Sequence, residues 1–165
     1  MRPAGRWSLY SLLCRGRMWA EEGRWITVKL DTNCVRDVLL AVESLQRVFV
    51  NDDDDIEKEA LWADDLYAAL PQYDKAVVFY ALYNLNQAGY IDLSVQWIES
   101  CVNMCAINHM TYKGHEFLES IRDSKQWTSV KKGLEAIRNY SLSAISSVAE
   151  GITSAAISSY LTQNN

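Results

Sequence analysis

At Gly89 the chain changes period. Upstream, Val77, Val78, Ala81, Leu82 and Leu85 recur at helical steps. Downstream, Tyr90, Asp92, Ser94 and Gln96 alternate with Ile91, Leu93, Val95 and Trp97. The first pattern gives a helix one apolar face and the second gives a strand one apolar face. A chain that passes from helix to strand at a single glycine is neither an uninterrupted helical bundle nor an all-β fold. Asp74 caps the helix over Lys75–Ala88, and Gly89 ends it. A shorter helix precedes it, with Trp62, Leu66, Tyr67 and Leu70 on one face, stopped by Pro71. A second strand over about Ala106–Thr111 completes a hairpin, after a linker that holds Cys101 and Cys105.

The flanks are helical. Asp31 or Thr32 caps a helix to about Arg47, with Val35, Val38, Leu39, Val42 and Leu45 inward and Cys34 beside that core face. Asn51–Asp55 reads as a solvated acidic loop whose last Asp caps the next element. Its spacing lacks the Gly and distal Glu of a calcium loop. Ile56–Trp62 suits either a helix start or a short strand. After the hairpin, Thr111 caps a helix with Phe117, Leu118 and Ile121 inward. Asp123 or Ser124 starts the next, with Trp127, Val130, Leu134 and Ile137 inward, and Ser141 caps a last helix to about Leu161. Two prolines and seven glycines in 165 residues agree with a mostly helical chain.

Residues 1–27 stand apart: they are rich in Arg and Trp and carry +3. Since the whole chain is −5, residues 28–165 carry −8. An acidic body of that size is not a general polyanion binder. No apolar stretch reaches membrane-spanning length and no secretory signal is evident, so the expectation is a cytoplasmic protein with reduced thiols.

Helix, helix–turn–helix, two-stranded hairpin is the order of a winged helix. The expected fold is therefore α+β, mostly α: a winged helix-turn-helix with additional C-terminal helices. The expected division is a basic extension outside the fold at 1–27, the winged-helix-like domain at 28–123, and helices at 124–165 that pack on it or mediate dimerisation.

Several runs also resemble a known family. They are Leu70-Pro71-Gln72-Tyr73, Ala88-Gly89-Tyr90-Ile91 and Ile107-Asn108-His109-Met110-Thr111-Tyr112-Lys113-Gly114-His115-Glu116-Phe117-Leu118, followed by Ile121-Arg122-Asp123 and Trp127. Together with the Ser-rich tail they resemble a family of small bacterial proteins known only as a domain of unknown function. That family is widespread in Gram-positive genomes, often near prophage or mobile-element genes. The resemblance covers about 28–161 and implies a start near Val28. It implies no activity, so no catalytic residue is carried over.

If the second helix of the turn motif reads a DNA groove, its outward residues are Lys75, Tyr80, Tyr83, Asn84 and Gln87, with Lys113 placed to meet phosphate. Phe79 on the same face suits a protein surface better. Arg122, Lys125, Lys131, Lys132 and Arg138 read as the solvated face of an amphipathic helix or as a phosphate-facing one. Arg122-Asp123 reads as an ion pair or a helix cap. Cys101, Cys105, His109 and His115 carry zinc-ligand chemistry, but at the irregular spacing C-x3-C-x3-H-x5-H; two buried thiols are the plainer reading. No P-loop, G-x-S-x-G elbow, G-x-G-x-x-G turn or H-E-x-x-H helix is present, so neither enzyme nor cofactor is expected. In the last helix Leu142, Ile145, Ala149, Ile152 and Ala156 form an apolar stripe suited to a homodimer. The leading expectation is a non-enzymatic bacterial DNA-binding or regulatory protein, dimeric through that helix. The alternative is a protein-interaction module of a prophage or mobile element that uses the exposed aromatics Phe79, Tyr80 and Tyr83; an acidic DNA mimic stands third.

Overall fold

The computed structural model describes residues 27–163. The predicted basic extension therefore lies, but for Thr27, outside the described residues. The rest is α+β and mostly helical. α1 (Thr32–Leu45) leads into a two-stranded ribbon, β1 (Val48–Val50) and β2 (Ile56–Lys58). Next come β3 (Leu61–Trp62), α2 (Ala63–Ala69), α3 (Lys75–Gln87), β4 (Ile91–Ile98), β5 (Cys101–Met110), α4 (Tyr112–Arg122), α5 (Ser124–Ile137) and α6 (Leu142–Gln163). β3, β5 and β4 form an antiparallel sheet in that order, with Leu61 opposite Ile107 and Ser94 opposite Ala106.

α1 is the centre of the fold and packs on α2, α3, α4 and β5. The predicted apolar stripe explains this: Val35, Val38, Leu39 and Val42 are fully buried. They meet Leu82 and Leu85 of α3, Ile107 of β5 and Leu118 and Ile121 of α4 in one cluster. Each such side chain contributes about 1.5–3 kcal/mol by leaving water. No charged or polar residue is buried among the described residues. Cys34 lies inside the core, where burial, with Asp31 and Asp37 adding to it, pushes its thiol up to about 12.

α1 ends at Leu45, short of Arg47, because Gln46 turns away to bond β5. Its Nε2 donates to the Asn108 carbonyl at 3.1 Å and its Oε1 accepts from the Met110 N–H at 3.3 Å. The chain then enters the β1–β2 ribbon, and the expected acidic loop Asn51–Asp55 is the turn between its strands. Asp55 caps no helix. Instead the Asn51 side chain accepts from the N–H groups of Asp53 and Asp55, closing the turn. Val48, Phe49, Val50 and Ile56 stay exposed, so no amphipathic pattern marks these strands.

Two further expectations are corrected. The segment holding Cys101 and Cys105 is strand, not linker. Glu99 and Ser100 alone form the turn, both at positive φ (48° and 66°), where Asn-Gly is the usual signal. Ile137 does not point inward; it is the exposed last residue of α5, which ends as Arg138 turns left-handed.

Candidate interaction surface

α2 and α3 meet at a tight turn. Pro71 follows Leu70 at the end of α2, and Asp74 accepts from the Ala76 N–H at 3.0 Å to cap α3. Tyr73 fixes this turn to α1 by donating its hydroxyl to Asp37 at 2.7 Å. Burial first, and that carboxylate second, hold the Tyr73 phenol well above its ordinary range. Val78, Ala81, Leu82 and Leu85 turn α3's inner face to the core.

The other end of α3 is locked to the hairpin. Gly89, at φ +75°, donates to the Asn86 carbonyl, and Tyr90 donates to Leu85; this pairing of bonds closes the helix C-terminus. Asn86 then accepts from the Leu93 N–H at 3.0 Å, which ties α3 to β4. Thr111 Oγ1 donates back to the Gly89 carbonyl at 2.7 Å.

The outer face of α3 carries Tyr80, Tyr83 and Gln87 exposed, with Lys75 at its start. Lys75 is engaged: its Nζ sits 5.3 Å over the Tyr67 ring. Asn84 is half-buried and donates to the Tyr80 carbonyl at 2.7 Å, which turns its amide along the helix. Lys113 is also engaged, donating to the Ala88 carbonyl at 2.9 Å while lying 4.7 Å over the Tyr90 ring. Tyr80, Tyr83 and Gln87 thus share a face as expected, whereas both predicted lysines are drawn back onto the protein.

The sequence marks Phe79, Tyr80 and Tyr83 as an aromatic surface; what it misses is that Trp97 of β4 joins it. Half-buried Phe79 stacks on Tyr83 with ring centroids 6.3 Å apart, and meets the Trp97 indole edge-on at 5.9 Å and 83°. Trp97 is 52% exposed, and beside it Ile98 and Val102 are exposed on the hairpin. Strand alternation alone places Trp97 with the inward residues. The strand outruns the body, however, so its inward face becomes open surface from Gln96 onward.

The other predicted groups do not converge. Of the two thiols expected to be buried, only Cys105 is, its thiol pushed up to about 11 by burial and Asp64; Cys101 instead lies exposed, because it starts β5 at the hairpin turn. His109 sits 3.7 Å from Asp92, and His115 4.0 Å from Glu43. The four proposed zinc ligands are not brought together, and no group suited to a metal occurs among the described residues. Arg122 pairs with Glu43 and Glu119, not with Asp123, which caps α5 by accepting from Lys125 and Gln126. Lys125, Lys132 and Arg138 are exposed on α5 and at its end. In α6, Ile145 and Ala149 are fully buried in the body, with Leu142 and Ile152 half-buried beside them; only Ala156 of the predicted dimer stripe is exposed.

These elements define a small, mostly helical α+β protein with one composite surface of helix and hairpin. The sequence matches the family described as Hypothetical protein (DUF2513) over residues 29–140, more than half of the chain, and the protein belongs to that family. The match begins beside the expected start at Val28 and ends before α6, short of the 161 that the resemblance suggested. No curated protein and no solved structure matches. No described helix is long and apolar enough to cross a membrane.

Proposed function

We propose that this protein is a winged-helix module that works by docking another protein. The element order α1, β3, α2, α3, β4, β5 and the strand order β3-β5-β4 support the winged-helix reading. In it, α2 and α3 are the helix–turn–helix, α3 takes the recognition place and β4–β5 is the wing. The observation that carries the docking reading is the aromatic ridge joining Phe79 and Tyr83 on α3 to Trp97 on β4. Rigid aromatic anchors dominate protein interfaces. Duplex DNA asks instead for cations that neutralise phosphate. α3 has one lysine, and it lies over Tyr67; the wing adds Asp92 and Glu99. The role is non-enzymatic and regulatory, without a cofactor and in the cytoplasm, in the mobile-element setting that the resemblance implies.

A second reading keeps DNA as the partner and is favoured by the exposure of Tyr80, Tyr83 and Gln87 on the recognition-placed helix. Anisotropy with a random-sequence duplex across a salt series separates the two. The docking reading expects no dissociation constant below about 100 μM at about 50 mM salt. Affinity that falls steeply with salt and weakens on Lys75→Glu would establish the DNA reading. Stoichiometric capture of a cellular protein, lost on Trp97→Ser and kept on Lys75→Glu, is the outcome expected for docking.

A further inference from the structure

The β1–β2 ribbon projects from the core. Its strands pair with each other, Val50 opposite Ile56 and Phe49 opposite Glu57, and no third strand joins them among the described residues. Val48 and Val50 are each 62% exposed, Phe49 51% and Ile56 77%. A two-stranded ribbon without cover is marginally stable in water. Residues 48–58 also carry −4, since Asp52–Asp55 and Glu57 outweigh Lys58. Apolar side chains and a block of carboxylates thus share one small projection.

Charge decides what suits it as a cover. This combination is particular to the ribbon. The ridge at Trp97 has Glu99 as its neighbouring carboxylate, and the end of α6, where Ile157, Tyr160 and Leu161 are exposed, has no charged residue after Glu150. A second copy would bring another −4 ribbon, or another part of a body that carries −8 over residues 28–165, and like charges repel. One stretch of the chain has the opposite sign. Residues 1–26, which lie outside the described residues, carry +3 from five arginines, Glu21 and Glu22. They also hold Trp7, Trp19 and Trp25, three of the chain's six tryptophans. Trp and Arg are the residues that most often dominate the energy of an interface.

We propose that residues 1–26 dock on the β1–β2 ribbon of their own chain, their arginines meeting the Asp52–Asp55 turn and their tryptophans covering Val50 and Ile56. Reach allows it. The 14 residues of α1, about 21 Å of helix, separate the start of the described chain from the ribbon, whereas 26 extended residues span up to about 86 Å. The tether at Thr27 also sets an effective concentration on the order of 1 mM, so contacts too weak to hold a free peptide suffice. Residues 1–26 precede the family match, so this cover is particular to this chain. It uses neither α3 nor the wing and is independent of the docking reading.

A nitroxide on Cys14 of the full chain, with Cys101→Ser, tests the proposal by nuclear magnetic resonance; Cys34 and Cys105 are buried and stay unlabelled. At about 0.05 M salt the amide signals of Val48–Ile56 should be lost while those of the wing remain, and at about 0.5 M salt the lost signals should return. Arg15→Glu with Arg17→Glu should bring the ribbon signals back, and adding Asp52→Lys with Asp53→Lys should remove them again. Asn51 holds the turn through the backbone N–H groups of Asp53 and Asp55, so these substitutions leave the ribbon formed. Ribbon signals that persist, signals lost at the wing instead, or indifference to both charge reversals would overturn the proposal. So would the same loss in isotope-labelled chain without nitroxide, mixed with nitroxide-bearing chain, since the contact would then run between molecules.

Discussion

Gly114 lies directly against the carbonyl of Tyr90. A β-carbon at position 114 would collide with that oxygen and crowd the Met110 side chain. The contact exists because α4 starts immediately after β5, so its first turn crosses the corner where α3 hands over to β4. Tyr90 is fixed there by stacking on Phe117 at 4.5 Å.

Gly114→Ala is therefore expected to cost about 2–4 kcal/mol, because the obstacle is backbone and cannot rotate away. Gly151→Ala is expected to do the opposite. Nothing lies within 4 Å of its β-carbon position, and it sits inside a helix, so alanine should add about 0.5–1 kcal/mol. Urea unfolding of both variants checks the pair; a destabilised Gly151→Ala would contradict the open space there.

The wing turn stores strain. Glu99 and Ser100 both hold left-handed backbone that side chains disfavour. Glu99→Asn with Ser100→Gly should raise stability by about 1 kcal/mol without altering the β4–β5 register. Unfolding midpoints test the gain, and amide exchange along β5 tests the register.

Acid should loosen the join between α1 and α4. Both Glu43 oxygens accept from Arg122 at 2.7 Å, which holds this carboxyl below its ordinary value of 4.5; His115 adds to the effect. A carboxyl with a depressed folded value stabilises fully above its unfolded value and loses that contribution as pH falls through the folded one. Stability should therefore drop as the pH falls below about 4.5 and on through the lower folded value, and Glu43→Gln should flatten that limb. An unchanged acid limb in the variant would remove the assignment.

Thiol reactivity should divide by burial. Cys34 and Cys105 are buried with raised values, so both should resist alkylation in the native state at pH 8, while exposed Cys101 labels quickly. Mass spectrometry of the labelled peptides reads this directly. Rapid native labelling of Cys105 would mean that the sheet opens.

Helices are legible where caps and apolar stripes coincide. Asp74 and Gly89 bracket α3 within a residue, and Asp31 starts α1 as expected. Those signals are local, so the sequence carries them whole. β1 is not legible, and β2 only as one of two alternatives for Ile56–Trp62, because their apolar residues face water and leave no alternation to detect. β5 begins earlier than expected because Glu-Ser makes a turn that normally asks for Asn-Gly. The site is half legible. The outward positions Tyr80, Tyr83 and Gln87 follow from α3's period. The inward tether of Lys75 and Lys113, and the Phe79–Trp97 contact, depend on how a helix meets a hairpin, which no single segment encodes. In α6, period alone marks one apolar stripe. Only the length of the body shows that this stripe is consumed internally and that a different face is left outside.

The β1–β2 ribbon has a consequence for how this protein tolerates change. At its base the Glu59 N–H donates to the Arg47 carbonyl at 3.2 Å, so the chain leaves the body and returns to it at one point. Whatever lies beyond that point adds no link between α1 and β3 that the core requires. Arg47 and Glu59 thus mark a splice site, where a shorter loop or a foreign insert with adjoining ends can replace the ribbon while the sheet and helices keep their places.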